Sequence, residues 1–208
     1  MSNPNFITFD TSQMSPAESY KLLVNCVAPR PIAFVSTMSP EGVFNLAPFS
    51  FFMAGGSNPP SLAFSPSNNR YNEPKHTLLN IEAMKEYVVN IATWDIREPM
   101  NATAAEFPYG VSEFEQSGLT PAPSLKVKPP RVLESPISME CRLFQIVTHG
   151  AGPASANYVI GEIVQFHIRE DLFVEGKIDP SRIGYVGRLS GNWYSRTNAE
   201  TMFELERP

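Results

Sequence analysis

A mainly β fold with inserted helices, closing into a small barrel, is predicted by three features of this 208-residue sequence. Its two longest extended runs, Ile137 to Val147 and Tyr158 to Ile168, are rich in β-branched and aromatic residues. Its 20 prolines are about twice ordinary usage and cut the chain into short pieces. Some six strand segments and two or three helices follow one another without strict alternation, which favours a barrel over a parallel sheet.

The elements follow from local chemistry. Pro16 to Val27 reads as a helix, with Ser15 as N-cap, Pro16 at the first helical position and Glu18 placed for a capping box. Tyr20, Leu23, Val24 and Val27 recur at helical spacing, and Pro29 ends the run. Ile32 to Thr37 alternates as a strand, Pro40-Glu41-Gly42 turns the chain, and Val43 to Met53 continues as one extended run interrupted by Pro48. A proline there implies a sheet edge or a bulge. Pro59-Pro60 breaks the chain before a short strand from Ser61 to Ser65. Thr77 to Lys85 is a second helix, Glu86 to Thr93 a strand, and Asp95 to Phe107 a further helix. Residues 108–136, with five prolines after Thr120, read as a long ordered loop with one short helix near Glu113.

In the first long strand Ile137, Met139, Cys141, Leu143 and Val147 are expected on one face. In the second, Tyr158, Ile160, Val164, Phe166 and Ile168 oppose Val159, Gly161 and His167. The last 40 residues lack a regular period. The expectation is a single domain over 1–208, with a core at about 20–170 and a C-terminal extension at 171–208; a chain this long buries roughly 70% of its unfolded surface.

Composition narrows the function. Sixteen basic against 21 acidic residues leave a net charge of −5, without the basic excess of nucleic-acid binding modules. No apolar run approaches the ~20 residues that cross a bilayer, and the polar start MSNPNFITFDTS is unlike a secretory leader. Cys26 and Cys141, each in an apolar segment, read as buried thiols in a reducing cytoplasm. His76, His149 and His167 lack zinc-site spacing.

Gly150-Ala151-Gly152-Pro153-Ala154-Ser155 comes near a dinucleotide fingerprint, but a strand follows where a helix is needed, so it reads as a hairpin loop. Glu113, Glu115, Asp171 and Glu175 read as solvated surface. Between Thr37 and Tyr71 only Glu41 and Arg70 are charged, while Ser, Asn, Pro and Phe crowd the stretch. Extended backbone with small hydroxyls and amides suits the lining of a flat, polar-edged ring. Downstream, Ser65, Ser67, Arg70, Lys75 and Thr77 gather hydroxyls and two cations at a helix start. That pattern fits a phosphate site, and equally a turn whose charges point to solvent.

The motifs RPIAFVST (30–37), Gly42, NLAPFSFF (45–52), NPP (58–60), KHT (75–77) and YVVN (87–90), in that order, resemble the flavin reductase-like family. The resemblance implies an FMN-binding split β-barrel. It implies a homodimer with one FMN per subunit near the interface, the ring lying against the strands that carry Arg30, Ser36 and Thr37 and Asn45, Leu46, Ala47 and Ser50. Amides near Ala47 and Ser50 would meet the pyrimidine edge. Ser65, Arg70, Lys75 and Thr77 would meet the phosphate. Arg188 and Tyr194, in RLSGNWY, resemble the family's C-terminal Arg-Leu-Gly-Gly and the Tyr after it. The chain departs from the family at His76, commonly an aspartate, and at Ser190.

The activity implied is an NAD(P)H-dependent FMN reductase, with a monooxygenase as a partner that receives the reduced flavin. No side-chain acid or base is obligatory for hydride delivery, in keeping with the absence of a catalytic dyad. The alternative is a non-catalytic FMN electron carrier of the flavoredoxin kind. An oxidase acting on a pyridoxal-like phosphate would need a further basic cluster, and a barrel that has lost its site would act only structurally.

Overall fold

The computed structural model describes residues 5–206; the first four residues of the polar start lie outside them. Among the described residues no helix is long and apolar enough to cross a membrane. Helix α1 (Pro16–Cys26) opens with the expected capping box. Ser15 accepts from the Glu18 amide while the Glu18 carboxylate takes the Ser15 amide at 2.9 Å. Strands β1 (Ala33–Met38), β2 (Phe44–Phe49), β3 (Phe52–Ser57) and β4 (Pro60–Phe64) follow, then α2 (His76–Met84) and β5 (Glu86–Ile91). Next come α3 (Arg97–Ala102), α4 (Glu113–Ser117), the two-residue strands β6 (Pro121–Ala122) and β7 (Arg131–Val132), and the long pair β8 (Ile137–His149) and β9 (Ala156–Ile168). Two small ribbons end the chain: β10 (Phe173–Val174) with β11 (Lys177–Ile178), and β12 (Val186–Arg188) with β13 (Tyr194–Arg196).

Seven strands form one antiparallel sheet in the order β2-β1-β5-β8-β9-β4-β3. Its two edges, β2 and β3, are separated in sequence by only Ser50 and Phe51. Edges so tethered force the sheet to roll up, and the Ser65 amide extends the β3–β4 pairing to the Phe51 carbonyl at 2.9 Å. Barrel closure therefore divides the single run expected over 43–53 into two strands at Ser50-Phe51. Pro48 falls on edge strand β2, where no ladder donor is missed.

β1 is buried on both faces. Ala33 and Val35 join Leu62, Phe64, Tyr87, Val89, Cys141 and Val159 in the barrel core, whereas Ile32 and Phe34 pack outward with Leu46, Met100, Phe114 and Val132 under α3 and α4. Gly161 marks the tightest point: a Cβ there would lie 2.0 Å from the Tyr87 hydroxyl.

Several expectations are corrected. The helix expected over 95–107 is only α3, preceded by one 3₁₀ turn at Trp94–Ile96. Val147 is exposed and Ile146 packs inward, because β8 and β9 shift register between Glu140 and Cys141 and again between Leu143 and Gln145, reversing the alternation. For the same reason Val159 and Ile163 of β9 face the core while Tyr158 and Phe166 are exposed. Cys26 is exposed, because α1 buries only Val24 and its last residue turns away from the barrel; Cys141 is buried as expected.

Candidate functional site

Two adjoining cavities lie where β2, the start of α2 and the segment after β4 converge. One, of about 320 Å³, is walled by Asn45, Ala47, Pro48 and Phe49 of β2, by residues 73–77, by residues 103–107 and by Glu113. The other, of about 1000 Å³, is walled by α1, residues 48–51, Ser65, Ser67 to Arg70, Lys75 and the 149–156 hairpin loop. Pro48, Phe49, Asn69, Lys75 and Glu106 line both, so the two form one bent trough.

The walls are built by side-chain amides. Asn45 donates to the Thr77 hydroxyl at 3.0 Å, joining β2 to the first turn of α2, and Asn80 donates to the Thr37 hydroxyl at 3.0 Å. Asn157 donates to the Pro66 carbonyl and to Asn68, pinning the hairpin loop beside the 66–68 segment. That loop, Gly150 to Ser155, connects β8 to β9 as the sequence suggests.

Of the residues expected at a phosphate, Ser65, Arg70 and Lys75 line the second cavity, while Thr77 lines the first. Arg70 and Lys75 both approach the Glu106 carboxylate, each at 3.8 Å, so they already converge on one anionic group. No side chain caps the N-terminus of α2 at Lys75. Ser65, only 6% exposed, has a buried hydroxyl without any hydrogen-bond partner in the second cavity. A buried hydroxyl left unpaired costs about 1–3 kcal/mol, and it shares its cavity with Arg70 and Lys75.

The ring-facing residues divide. Asn45 and Ala47 line the first cavity, and Ser50 the second. Leu46 is fully buried, and its amide, directed away from β1, is taken by Glu113 at 2.9 Å. Strand donors alternate in direction, so the next outward position is Pro48, which has no N–H, and the Ala47 amide turns inward to β1. Ser36 is sealed beneath the long loop, donating to the Pro130 carbonyl and accepting from Asn90. The Thr37 hydroxyl is engaged by Asn80.

Arg30 is buried and organises the backbone. It donates to the Val24 and Val27 carbonyls at the end of α1, to Leu189, and to the Ser50 hydroxyl at 3.3 Å. It thereby sets the kink that carries Ser50. Arg188 and Tyr194 lie on the β12–β13 ribbon, stacked on each other, with Tyr194 donating to Asn101; neither lines the trough.

Glu113, expected as solvated surface, is 4% exposed and lines the first cavity. Burial pushes its carboxyl upward, partly offset by the amides of Leu46 and Glu113 itself. No local pattern marks it, since its partner lies 67 residues earlier. His76, beside it in the wall, is held below the usual imidazole range by burial and then by Lys75, so it is neutral at pH 7.

The family described as flavin reductase like domain matches residues 25–181. The chain belongs to that family. Its similarity extends to protein BH2278 of Halalkalibacterium halodurans, 38% identical over 197 residues that cover 94% of this chain and 93% of the relative. Among solved structures, nitrilotriacetate monooxygenase component B from Bacillus cereus superposes on the flavin reductase-like chain with a TM-score of 0.92 at 33% identity, covering 98% of this chain and all of the other. The Pseudomonas fluorescens 2-nitrobenzoate 2-nitroreductase NbaA follows with a TM-score of 0.86 at 31% identity, covering 97% and 96%. The rolled antiparallel sheet with its excursions is thus the flavin reductase split barrel, and the chemistry of the family is that of flavin oxidoreductases.

Proposed function

We propose that this chain is an NAD(P)H-dependent FMN reductase that supplies reduced flavin to a monooxygenase. The observation that carries the reading is the orphaned Ser65 hydroxyl in the cavity that Arg70 and Lys75 also line, Lys75 being the uncapped start of α2. A phosphate monoester satisfies all of them at once: it accepts from the hydroxyl, from two cations and from helix amides. A flavin without phosphate leaves that end unpaired. The first cavity then takes the ring, with Asn45 and Thr77 as polar edge and Ala47, Pro48, Phe49 and Phe107 excluding water.

Bound FMN would supply hydride acceptance, taking two electrons and one proton from a dihydronicotinamide, which would leave as the oxidised nicotinamide. The chain's own residues bind and orient. Ser65, Arg70 and Lys75 hold the anionic tail, Thr77 and Asn45 fix the strand–helix junction, and Arg30 holds the Ser50 kink. Likeness to a monooxygenase component B at 33% identity supports the choice of recipient. The exposed apolar residues Tyr20 and Leu23 of α1, Val27 just after it, and Phe144, Val147 and Tyr158 of the long hairpin support a homodimer.

Anaerobic mixing with FMN and either nicotinamide tests this. Saturable consumption of NADH or NADPH with loss of the visible flavin absorbance is expected. Flavin that binds and is photoreduced, yet takes no electrons from either nicotinamide, would overturn the reductase reading in favour of a carrier.

A further inference from the structure

The first cavity is acidic where a flavin binder has no need of acid. Its charged lining is Glu73, Glu106 and Glu113 against Lys75 alone, with His76 neutral. Lys75 faces Glu106, and Glu73 accepts from Asn69, at the exposed mouth. Glu113 differs from both, being buried in the wall, where solvent and salt screen it least. Among the described residues no cationic side chain pairs with it. Strand β2 carries no charged side chain, and the charged residues of α3, Arg97 and Glu98, pair with each other at 2.9 Å while Arg97 stacks on Trp94. On its own helix Glu115 adds a further negative charge. The second cavity has the opposite balance, Arg70 and Lys75 against Glu106.

We propose that Glu113 is a positioning residue whose buried carboxylate makes the domain hold oxidised FMN more tightly than reduced FMN, so that the reduced form is released. The inference rests on the reading that FMN occupies the trough. The phosphate is the same in both redox states, so the basic end grips them equally. The ring differs: reduction by two electrons and one proton leaves it anionic at neutral pH, and a carboxylate in the wall opposes only that form. Preference for the oxidised form lowers the two-electron potential of the bound flavin, which suits a protein that passes reduced flavin onward.

Dissociation constants for oxidised and reduced FMN, measured anaerobically with the midpoint potential, test the proposal on three chains. In the wild type, oxidised FMN binds more tightly. In Glu113→Gln, which keeps an acceptor for the Leu46 amide, that preference shrinks by about tenfold and the midpoint potential rises by about 30 mV. In Glu113→Asp, which keeps the charge, the preference stays with the wild type. A glutamine variant that binds FMN with the wild-type preference overturns the inference and leaves the FMN reading intact. A wild type that binds no FMN in either state overturns both. Should the glutamine variant not fold, Glu113→Ser gives the same comparison.

Discussion

Glu140→Ala should lose about 3–5 kcal/mol of stability, read as a lower denaturant midpoint, because it removes a buried carboxylate on which a whole loop depends. Glu140 is fully buried in β8. One oxygen accepts the Leu125 amide at 2.7 Å and His167 Nε2 at 2.5 Å; the other accepts the amides of Lys126 and Val127 at 2.6 and 3.1 Å. Alanine leaves three backbone donors unpaired, and each such donor costs about 1–3 kcal/mol when it stays buried. The Pro-rich segment should then loosen locally, with faster amide exchange at 124–128 than elsewhere. The acid dependence has a definite sign. Burial alone would raise this carboxyl, but the Leu125 amide, His167 and the Lys126 amide outweigh it and hold it below its ordinary value of 4.5. A group depressed on folding stabilises above its unfolded pKa, and that contribution is lost as pH falls through the folded value. The wild type should therefore lose stability progressively below about pH 4.5, and Glu140→Ala should lose less over the same range.

Arg70→Ala/Lys75→Ala should weaken FMN about 100-fold and riboflavin by less than about threefold, measured by flavin fluorescence titration. A charged hydrogen bond to phosphate contributes about 1.5–3 kcal/mol, and the lower figure applies here because Arg70 is 72% exposed and solvent screens it. Two such contacts at about 1.4 kcal/mol per tenfold give the stated loss. Added salt should weaken FMN in the wild type and have little effect in the double variant. Equal losses for both flavins would place the phosphate elsewhere.

How much of this was legible beforehand depends on how local each cause is. The capping box of α1 rests on Ser15, Pro16 and Glu18 alone, and it formed as written. The hairpin loop at 150–155 and the small helix at Glu113 were likewise legible. The division of 43–53 into two strands was not, because it follows from β2 and β3 becoming opposite edges of one rolled sheet. The inward faces of β8 and β9 depart from a period-two pattern because bulges that the pattern does not mark reverse the alternation. The same distinction holds in the site. Ser65, Arg70 and Lys75 sit within eleven residues of one another and line one cavity, while Thr77 lines the adjoining one. Ser36 and Thr37 alternate correctly on β1 but face a loop and a helix that only the tertiary structure brings over them. Glu113 reads as solvated surface in the sequence, because a carboxylate in a polar stretch looks so until Leu46 is laid against it.

One measurement bears on everything above: a crystal structure of the wild-type chain with FMN bound. The phosphate should accept a hydrogen bond from Ser65 Oγ, with Lys75 in reach and the ring in the cavity bounded by Asn45, Ala47 and Glu113. A phosphate in solvent or at another surface, with the Ser65 hydroxyl still unpaired, would contradict the account.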